Sequence, residues 1–178
     1  MQGIFRSFLE APLSAKLGLV TITAYLVVAI FAPIIAPYSE TEILGGAYEL
    51  WSEKYPLGTD NLGRDMLSRL IFGARNTIGI ALAAVVIAFA IGGVTGMLVA
   101  ILGGWYDTII SRIVDALMAI PGLVFALLIL TILGTSIPTL VLVIAVLDST
   151  RVYRITRASA MNVAVMDFVE VAHLRGEG

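Results

Sequence analysis

The stretch TIGIALAAVVIAFAIGGVTGMLVAIL, Thr77–Leu102, contains no charged residue and no proline from end to end. A helix needs about 20 mostly apolar residues to cross the hydrocarbon core of a bilayer. Thr77–Leu102 is therefore predicted to be a membrane-spanning helix, and this decides the class of fold.

The composition of the whole chain agrees with a membrane protein. Hydrophobic residues make up 59% of the 178 positions and charged residues 13%, with a mean hydropathy of +0.98. A soluble domain carries about 25% charged residues, so this chain cannot cover its own surface in water and must face lipid or other apolar protein. The net charge of -2 argues against a nucleic-acid partner. With no cysteine, a disulfide framework and a thiolate metal site are excluded.

Three further apolar runs are long enough to be spans: about Leu17–Ile35, Ile109–Leu133 and Ile137–Thr156. The uncharged part of the last run ends at Leu147. The sequence thus predicts an all-α, polytopic membrane protein with four transmembrane helices, a C-terminal cytoplasmic amphipathic helix and a single membrane domain, residues 1–178.

Lysine and arginine collect on the cytoplasmic side of membrane proteins. A cytoplasmic N-terminus puts on that side Arg6, Lys16, Arg112, Arg151, Arg154, Arg157 and Arg175. It leaves outside only Lys54, Arg64, Arg69 and Arg75. The majority favours a cytoplasmic N-terminus, a periplasmic loop at about 38–76 and a cytoplasmic tail.

Small and helix-breaking residues shape the predicted spans. Gly92 and Gly96 form a small-xxx-small step, which lets two helices approach closely. We expect intramolecular packing there, with a subunit interface as the alternative. Pro121 is expected to bend the third span, which frees backbone carbonyls.

The 38–76 loop contains the turn-rich sequence PLGTDNLGRDMLSRLIFGARN, Pro56–Asn76. Asp60 or Asn61 is expected to cap a short interfacial helix starting near Leu62. Apolar residues follow at helical spacing, namely Met66, Leu67, Leu70 and Ile71. The alternative is a solvated connector with ordinary membrane-anchoring arginines.

The C-terminal tail has an amphipathic pattern. Apolar side chains share one helical face at Val165, Phe168, Val169 and Ala172. Such a helix docks in a groove of a partner or lies on a membrane. Acids are at least as numerous as bases along the tail, which favours a protein over anionic lipid. A frayed terminal helix without a partner is the remaining alternative.

The sequence contains no catalytic constellation and no phosphate-binding loop, so any ATP hydrolysis is expected in another chain. A metal site is not expected, because His173 is the only histidine and there is no cysteine. Ionisable residues within a span are costly and usually face a protein interior or a water-filled path. Asp148 is the strongest candidate, and it pairs locally with Arg151 or lines a substrate path. Arg112 and Asp115 have the same spacing, and a local pair is expected there too.

Four stretches together resemble the transmembrane permease subunit of a bacterial ABC importer, in the dipeptide, oligopeptide, nickel and opine branch. FAPIIAPYS, Phe31–Ser39, is similar to the end of that family's first span, and GGWYDTIISRIVDALMAIPGL, Gly103–Leu123, to its inner turn and third span. The loop sequence from Pro56 onward is similar to the family's signature, at Gly58, Thr59, Asp60, Gly63, Arg64, Asp65 and Arg69. FVEVAHLRG, Phe168–Gly176, resembles its Glu-Ala-Ala coupling loop, with valine replacing one alanine.

The resemblance implies an inner-membrane permease that couples to a cytoplasmic ATPase through a loop starting at about 162–178. The residues it assigns to that coupling are Phe168, Val169, Glu170, Ala172, Arg175 and Gly176. It implies no cofactor in this chain, because ATP and Mg²⁺ belong to the ATPase. It implies as partners a second homologous permease, the ATPase subunits, an extracytoplasmic solute-binding protein and the lipid bilayer.

The family continues beyond this glycine into further spans, so a truncated gene product or a fragment is expected. A truncated, non-transporting membrane scaffold is therefore the competing hypothesis. An ion channel ranks last, because no filter or ring of pore charges is visible. The sequence does not distinguish peptides from nickel chelates, opines or other small solutes as cargo.

Overall fold

The computed structural model of the protein describes residues 12–166, 169, 171, 175 and 176. Within those residues all regular secondary structure is helical, apart from one isolated bridge between Thr59 and Asp65. The helices are α1 (Leu13–Ile35), α2 (Met66–Leu102), α3 (Gly104–Ala119), α4 (Gly122–Leu133) and α5 (Ile137–Ala164). The all-helical class predicted from the sequence is confirmed.

Two helices are long and apolar enough to cross a membrane, and a third crossing is added if α3 and α4 are one bent span. The most apolar windows of α1 and α2 have mean hydropathies of 2.3 and 2.6, yet only 11% and 22% of those windows are buried. Their exposed faces therefore require lipid or another apolar protein. The predicted count of four is not reached on length and composition, because α5 carries the charged residues Asp148, Arg151, Arg154 and Arg157.

The chain divides into two structural units, Met1–Gly79 and Ile80–Gly178. In the first unit, α1 ends at Ile35, and a loop without regular secondary structure leads to the first turns of α2. The predicted interfacial helix and second span are one continuous helix, and the helix begins at Met66 instead of near Leu62. At 1.5 Å per residue, α2 is roughly 55 Å long, well beyond the ~30 Å hydrocarbon core.

In the second unit, α5 packs against the remainder of α2 through two glycines. A Cβ atom on Gly92 would lie 2.3 Å from the carbonyl oxygen of Ser149, and one on Gly96 would lie 2.9 Å from that of Tyr153. No side chain fits between the two backbones there. The small-xxx-small step therefore mediates packing within the chain, as expected from the sequence.

The break between α3 and α4 falls at Pro121. The two helices are bent by 89°, because proline has no N–H to donate and its ring clashes with the preceding turn. The bend expected in the third predicted span is thus present and is sharp. After α4, Ser136 caps α5, with its hydroxyl accepting a hydrogen bond from the Thr139 amide at 3.3 Å.

We predict that Gly92→Ala destabilises the helical packing, because the added methyl group collides with the Ser149 carbonyl. Overpacking of this kind costs about 1–3 kcal/mol. Thermal unfolding of the detergent-solubilised full-length protein measures the effect. The matched control is Gly93→Ala, whose Cβ meets nothing within 4 Å and which gains up to about 1 kcal/mol of helix propensity. Equal melting temperatures for the two variants would contradict the α2–α5 contact.

Candidate functional site

The loop between α1 and α2 is built around the carboxylate of Asp60. Its Oδ1 atom accepts hydrogen bonds from the amides of Leu62 and Arg64 at 2.8 and 2.9 Å. Its Oδ2 atom accepts from the Arg64 Nε at 2.8 Å and also from the Arg69 guanidinium. Backbone bonds extend this arrangement: the Asp60 amide donates to the Arg64 carbonyl, and the Asp60 carbonyl accepts from Tyr48. We call residues 44–69 the loop knot.

Thr59 joins two segments of the loop knot, its own and the one that contains Gly46 and Glu49. Its hydroxyl accepts from the Glu49 amide at 2.8 Å and donates to the Gly46 carbonyl at 2.7 Å. The Thr59 amide donates in turn to the Glu49 carbonyl at 3.1 Å. One threonine side chain therefore satisfies two backbone groups that would otherwise be unpaired.

Gly58 and Gly63 are required by backbone geometry. Their φ angles are +73° and +74°, a region that residues with a Cβ rarely adopt. A Cβ atom on Gly58 would lie 2.3 Å from the Glu49 carbonyl oxygen, and one on Gly63 would lie 2.1 Å from that of Gly45. The glycines of the predicted motif thus allow two segments of the loop to touch.

Asp65, and not Asp60 or Asn61, caps α2. Its Oδ2 atom accepts from the amide and the hydroxyl of Ser68, both at 2.7 Å, and both residues are completely buried. The Ser68 hydroxyl also accepts from the amide of Tyr38 at 3.1 Å, which ties the cap to the segment after α1. The predicted cap is corrected because Asp60 already uses its carboxylate to close the turn that precedes the helix.

The seven motif residues of the loop therefore form one hydrogen-bonded structure. Thr59, Asp60 and Asp65 are buried, which is incompatible with the alternative of a solvated connector. The Asp65 Oδ1 atom is buried without a partner among the described residues.

The pKa of Asp60 reflects this environment. Burial alone would raise the pKa, but hydrogen bonds from the Arg64 and Leu62 amides and from the Arg64 guanidinium outweigh it. Together they lower the pKa from 3.8 to about 2. The carboxylate therefore stays charged, and the loop knot stays paired, across the whole neutral and mildly acidic range.

The loop knot presents large apolar side chains that the sequence reading missed. Tyr48, Leu50 and Trp51 are 74%, 85% and 81% exposed. The backbone around them is bonded at Tyr48, Glu49 and Ser52, to Asp60, Thr59 and Tyr55 respectively. Tyr48 also adopts a positive φ of 57°, which is uncommon for a residue with a Cβ. No motif signals this feature, because exposure depends on the folded loop and not on spacing.

A second cluster of polar contacts joins α3 to α5. The Arg157 guanidinium binds both carboxylate oxygens of Asp107, with the Nε–Oδ1 distance at 2.6 Å. One turn after Asp107 and one turn before Arg157, the Ser111 and Tyr153 hydroxyls lie 2.8 Å apart. Tyr153 is buried with Val99 and Val114, where α2, α3 and α5 meet. No local sequence pattern predicts these pairs, because the partners are 42 to 50 positions apart.

The structure distinguishes the two ion pairs suggested by spacing. Arg151 Nη1 lies 3.1 Å from Asp148 Oδ1, so this local pair is present. Asp115 instead binds Arg154 of α5, at 2.6 Å. The expected Arg112–Asp115 pair is therefore corrected: α5 runs beside α3 and supplies a closer cation.

The predicted coupling tail is only partly described. The Arg175 amide donates to the Val171 carbonyl at 3.1 Å, the Val169 amide donates to the Met166 carbonyl at 2.9 Å, and Gly176 has a φ of +76°. The positive φ agrees with the turn expected at this glycine. Phe168, Glu170 and Ala172 lie outside the described residues, so the amphipathic face stays a prediction.

The contacts in the loop knot and between α3 and α5 fix the local fold of the chain and the positions of its charged side chains. Within the part of the chain that the structure describes, no group of three or more His, Cys, Asp or Glu side chains is placed to bind a metal ion. The described residues instead comprise apolar helices long enough to cross a membrane, the loop knot and a set of contacts between α3 and α5. We call these contacts, Asp107 with Arg157 and Ser111 with Tyr153, the α3–α5 clamp.

Comparison with known proteins gives the family. The chain belongs to the family of binding-protein-dependent transport system inner membrane components, whose sequence profile matches residues 89–178. That segment contains the α2–α5 glycine contact, the bent α3–α4 pair and the α3–α5 clamp.

Three relatives illustrate the similarity. A dipeptide transport system permease protein of Haemophilus influenzae is 37% identical over 171 residues, which cover 92% of this chain and 58% of the relative. A di/tripeptide transport system permease protein of Pseudomonas aeruginosa is 36% identical, covering 90% and 55%. A glutathione transport system permease protein of Pectobacterium atrosepticum is 28% identical, covering 97% and 58%. The chain spans a little over half the length of the curated relatives it matches.

We predict that Asp60 makes the loop knot sensitive to strong acid. Because its folded-state pKa of about 2 lies below the ordinary 3.8, its contribution is complete above the ordinary pKa and is lost as the pH falls through about 2. Hydrogen exchange of the Leu62 and Arg64 amides, corrected for intrinsic rates, should stay slow at pH 4 and speed up toward pH 2.

Asp60→Asn should abolish this pH dependence and leave both amides less protected already at pH 7. Glu53→Gln, at an exposed acid of the same loop, is the matched control and should behave as the unmodified protein. Protection in Asp60→Asn that still falls between pH 4 and pH 2 would assign the titration to another group.

Proposed function

We propose that this chain is part of the permease subunit of an ATP-driven importer for peptides or similar small solutes. The observation that carries the proposal is the family match over residues 89–178, together with relatives named as peptide permeases that align with at least 90% of the chain. ATP and Mg²⁺ would be bound by separate ATPase subunits, and this chain would supply the membrane path.

We propose four spans in a single membrane domain, with the N-terminus in the cytoplasm of a bacterial cell. The bent α3–α4 pair would be the third span, and α5 would be the fourth from Ile137 to about Thr156. The contacts of α5 support this assignment, because Arg154 and Arg157 are both paired with carboxylates of α3. Paired charges near a helix end cost far less than isolated charges in hydrocarbon.

The coupling role falls on the chain that follows α5. The proposed coupling loop begins at about 162–178, with Val169 and Phe168 filling a groove on the ATPase, Ala172 beside them, and Glu170 and Arg175 at its rim. The positive φ of Gly176 supports a sharp turn just after this segment. A second homologous permease would complete the path.

The loop knot would face the periplasm, where an extracytoplasmic solute-binding protein delivers the solute. Its motif residues would act by holding the loop in one shape, because their side-chain bonds are directed at the loop itself. Asp115 would have a structural role in its pair with Arg154, and Arg112 would contribute to the cytoplasmic positive charge.

The topology is tested by labelling, because the chain has no native cysteine. Single variants Glu53→Cys and Asn162→Cys place a thiol at exposed positions in the loop knot and after the clamp. A membrane-impermeant maleimide should label Glu53→Cys in intact spheroplasts and Asn162→Cys only after permeabilisation. Three of the four proposed spans lie between these two positions. Labelling of both positions from the same side would therefore contradict the four-span topology.

The coupling role is tested in the full-length protein assembled with its partners. Gly176→Val should lower ATP-driven uptake about 5- to 30-fold, because a positive φ costs roughly 1–2 kcal/mol for a residue with a Cβ. Glu170→Gln should also uncouple ATP hydrolysis from uptake. Val165→Ala, at an exposed side chain before the segment, is the control.

Membrane insertion, checked by the amount of protein in the membrane fraction, should be equal in all three variants. Normal uptake in both Gly176→Val and Glu170→Gln would argue for the scaffold hypothesis. So would the absence of any ATPase that stays bound through detergent extraction.

A further inference from the structure

The ion pair of Asp148 and Arg151 lies in the middle of the proposed fourth span. Asp148 is about 16 Å along α5 from Ile137 at 1.5 Å per residue, which is about half of the ~30 Å hydrocarbon core. Ionisable side chains at such depth are rare and usually mark a substrate or ion path. Unlike Arg154 and Arg157, this pair makes no side-chain bond to α3 within the described residues.

Two cavities of unit Ile80–Gly178 meet at this pair. A cavity of about 290 Å³ opens beside the α3–α4 break and is lined by Leu117, Ile120, Gly122 and Thr150 as well as by Asp148 and Arg151. A smaller one, about 180 Å³, lies on the α2 side and is lined by Phe89 and Ala88 with the same two charged residues. The larger volume is near the lower limit of about 300 Å³ for small-molecule sites.

The pair has bonding capacity to spare. Arg151 uses one guanidinium nitrogen and Asp148 one carboxylate oxygen in a single contact of 3.1 Å. Their side chains are 76% and 40% exposed. By contrast, Arg157 and Asp107 bind through two atoms each. Because the two residues share a single contact and are accessible, each of them can exchange the other for a ligand group of opposite charge.

The surroundings restrict what that ligand is. One cation and one anion stand a single helical turn apart among apolar walls. A zwitterion with an ammonium and a carboxylate complements both charges and leaves neither without a partner. A neutral solute, or a solute with a single charge, leaves one member of the pair without a partner once the pair is opened.

We propose that Asp148 and Arg151 form a terminal-recognition site in the translocation path, with Asp148 receiving the ammonium and Arg151 the carboxylate of a short zwitterionic peptide. This inference rests on the proposed function as a peptide permease. The internal ion pair of Asp148 with Arg151 competes with the ligand for both charges. Such competition keeps binding weak, as passage through a path requires.

The test uses the full-length permease complex in lipid nanodiscs, without the solute-binding protein. The probe is radiolabelled L-alanyl-L-alanine, and the competitors are its N-acetyl and C-terminal amide derivatives. Unlabelled dialanine should compete about tenfold better, or more, than either derivative, because each blocked terminus loses one charged hydrogen bond. Equal competition by all three would overturn the proposal.

The variants assign each terminus to one residue. Asp148→Asn should lose discrimination against the N-acetyl derivative and keep it against the amide, and Arg151→Gln should show the reverse. The double variant Asp148→Arg with Arg151→Asp restores an ion pair but reverses its direction. Because a zwitterion in the opposite orientation complements the reversed pair, the double variant should again prefer dialanine to both derivatives, unlike the two single variants.

The matched control is Asp115→Asn, which breaks the Asp115–Arg154 pair outside both cavities and should keep both preferences. Retained discrimination in the single Asp148 and Arg151 variants would overturn the proposal even where the intact system imports dialanine. Failure of the unmodified system, supplied with its binding protein and ATP, to import dialanine would instead refute the proposed function.

Discussion

The contact of α2 with α5 at Gly92 and Gly96 sets the helix packing in the unit Ile80–Gly178. The two backbones approach until a single methyl group no longer fits between them. In an apolar medium such contact is favourable, because close packing gains dispersion energy that lipid tails cannot supply as well. The contact also sets the rotation of α5, so that Tyr153 and Arg157 point at α3 while Asp148 borders the cavities.

Buried polar groups need hydrogen-bond or ion-pair partners, and the two units provide these partners in different ways. In the loop knot, a few side chains satisfy many backbone groups, because a loop has no helical or sheet pairing of its own. Between α3 and α5, charged side chains of one helix pair with those of the other, because the backbone groups of both helices are already hydrogen-bonded internally. In the loop knot the polar side chains therefore bind unpaired backbone groups, and between the helices they bind one another.

Much of the fold was predictable from composition and periodicity. Long uncharged runs identified α1 and α2, the Gly92–Gly96 step identified a close contact, and Pro121 identified the bend. The start of α2 was not predictable, because Asp60 and Asp65 are both good capping residues and only the closed loop decides which one caps. The α3–α5 clamp was also hidden, since nothing local connects Asp107 to Arg157, and Arg112 offered Asp115 a nearer cation in sequence.

The sequence distances of these contacts have a consequence for biogenesis. Most bonds of the loop knot join residues fewer than 20 positions apart, so this loop can close as soon as a ribosome has released its last residue. The Asp107 clamp closes over 50 positions and has to wait for α5. During translation the carboxylates of α3 therefore leave the ribosome before Arg154 and Arg157, and they are without these partners until α5 has been made.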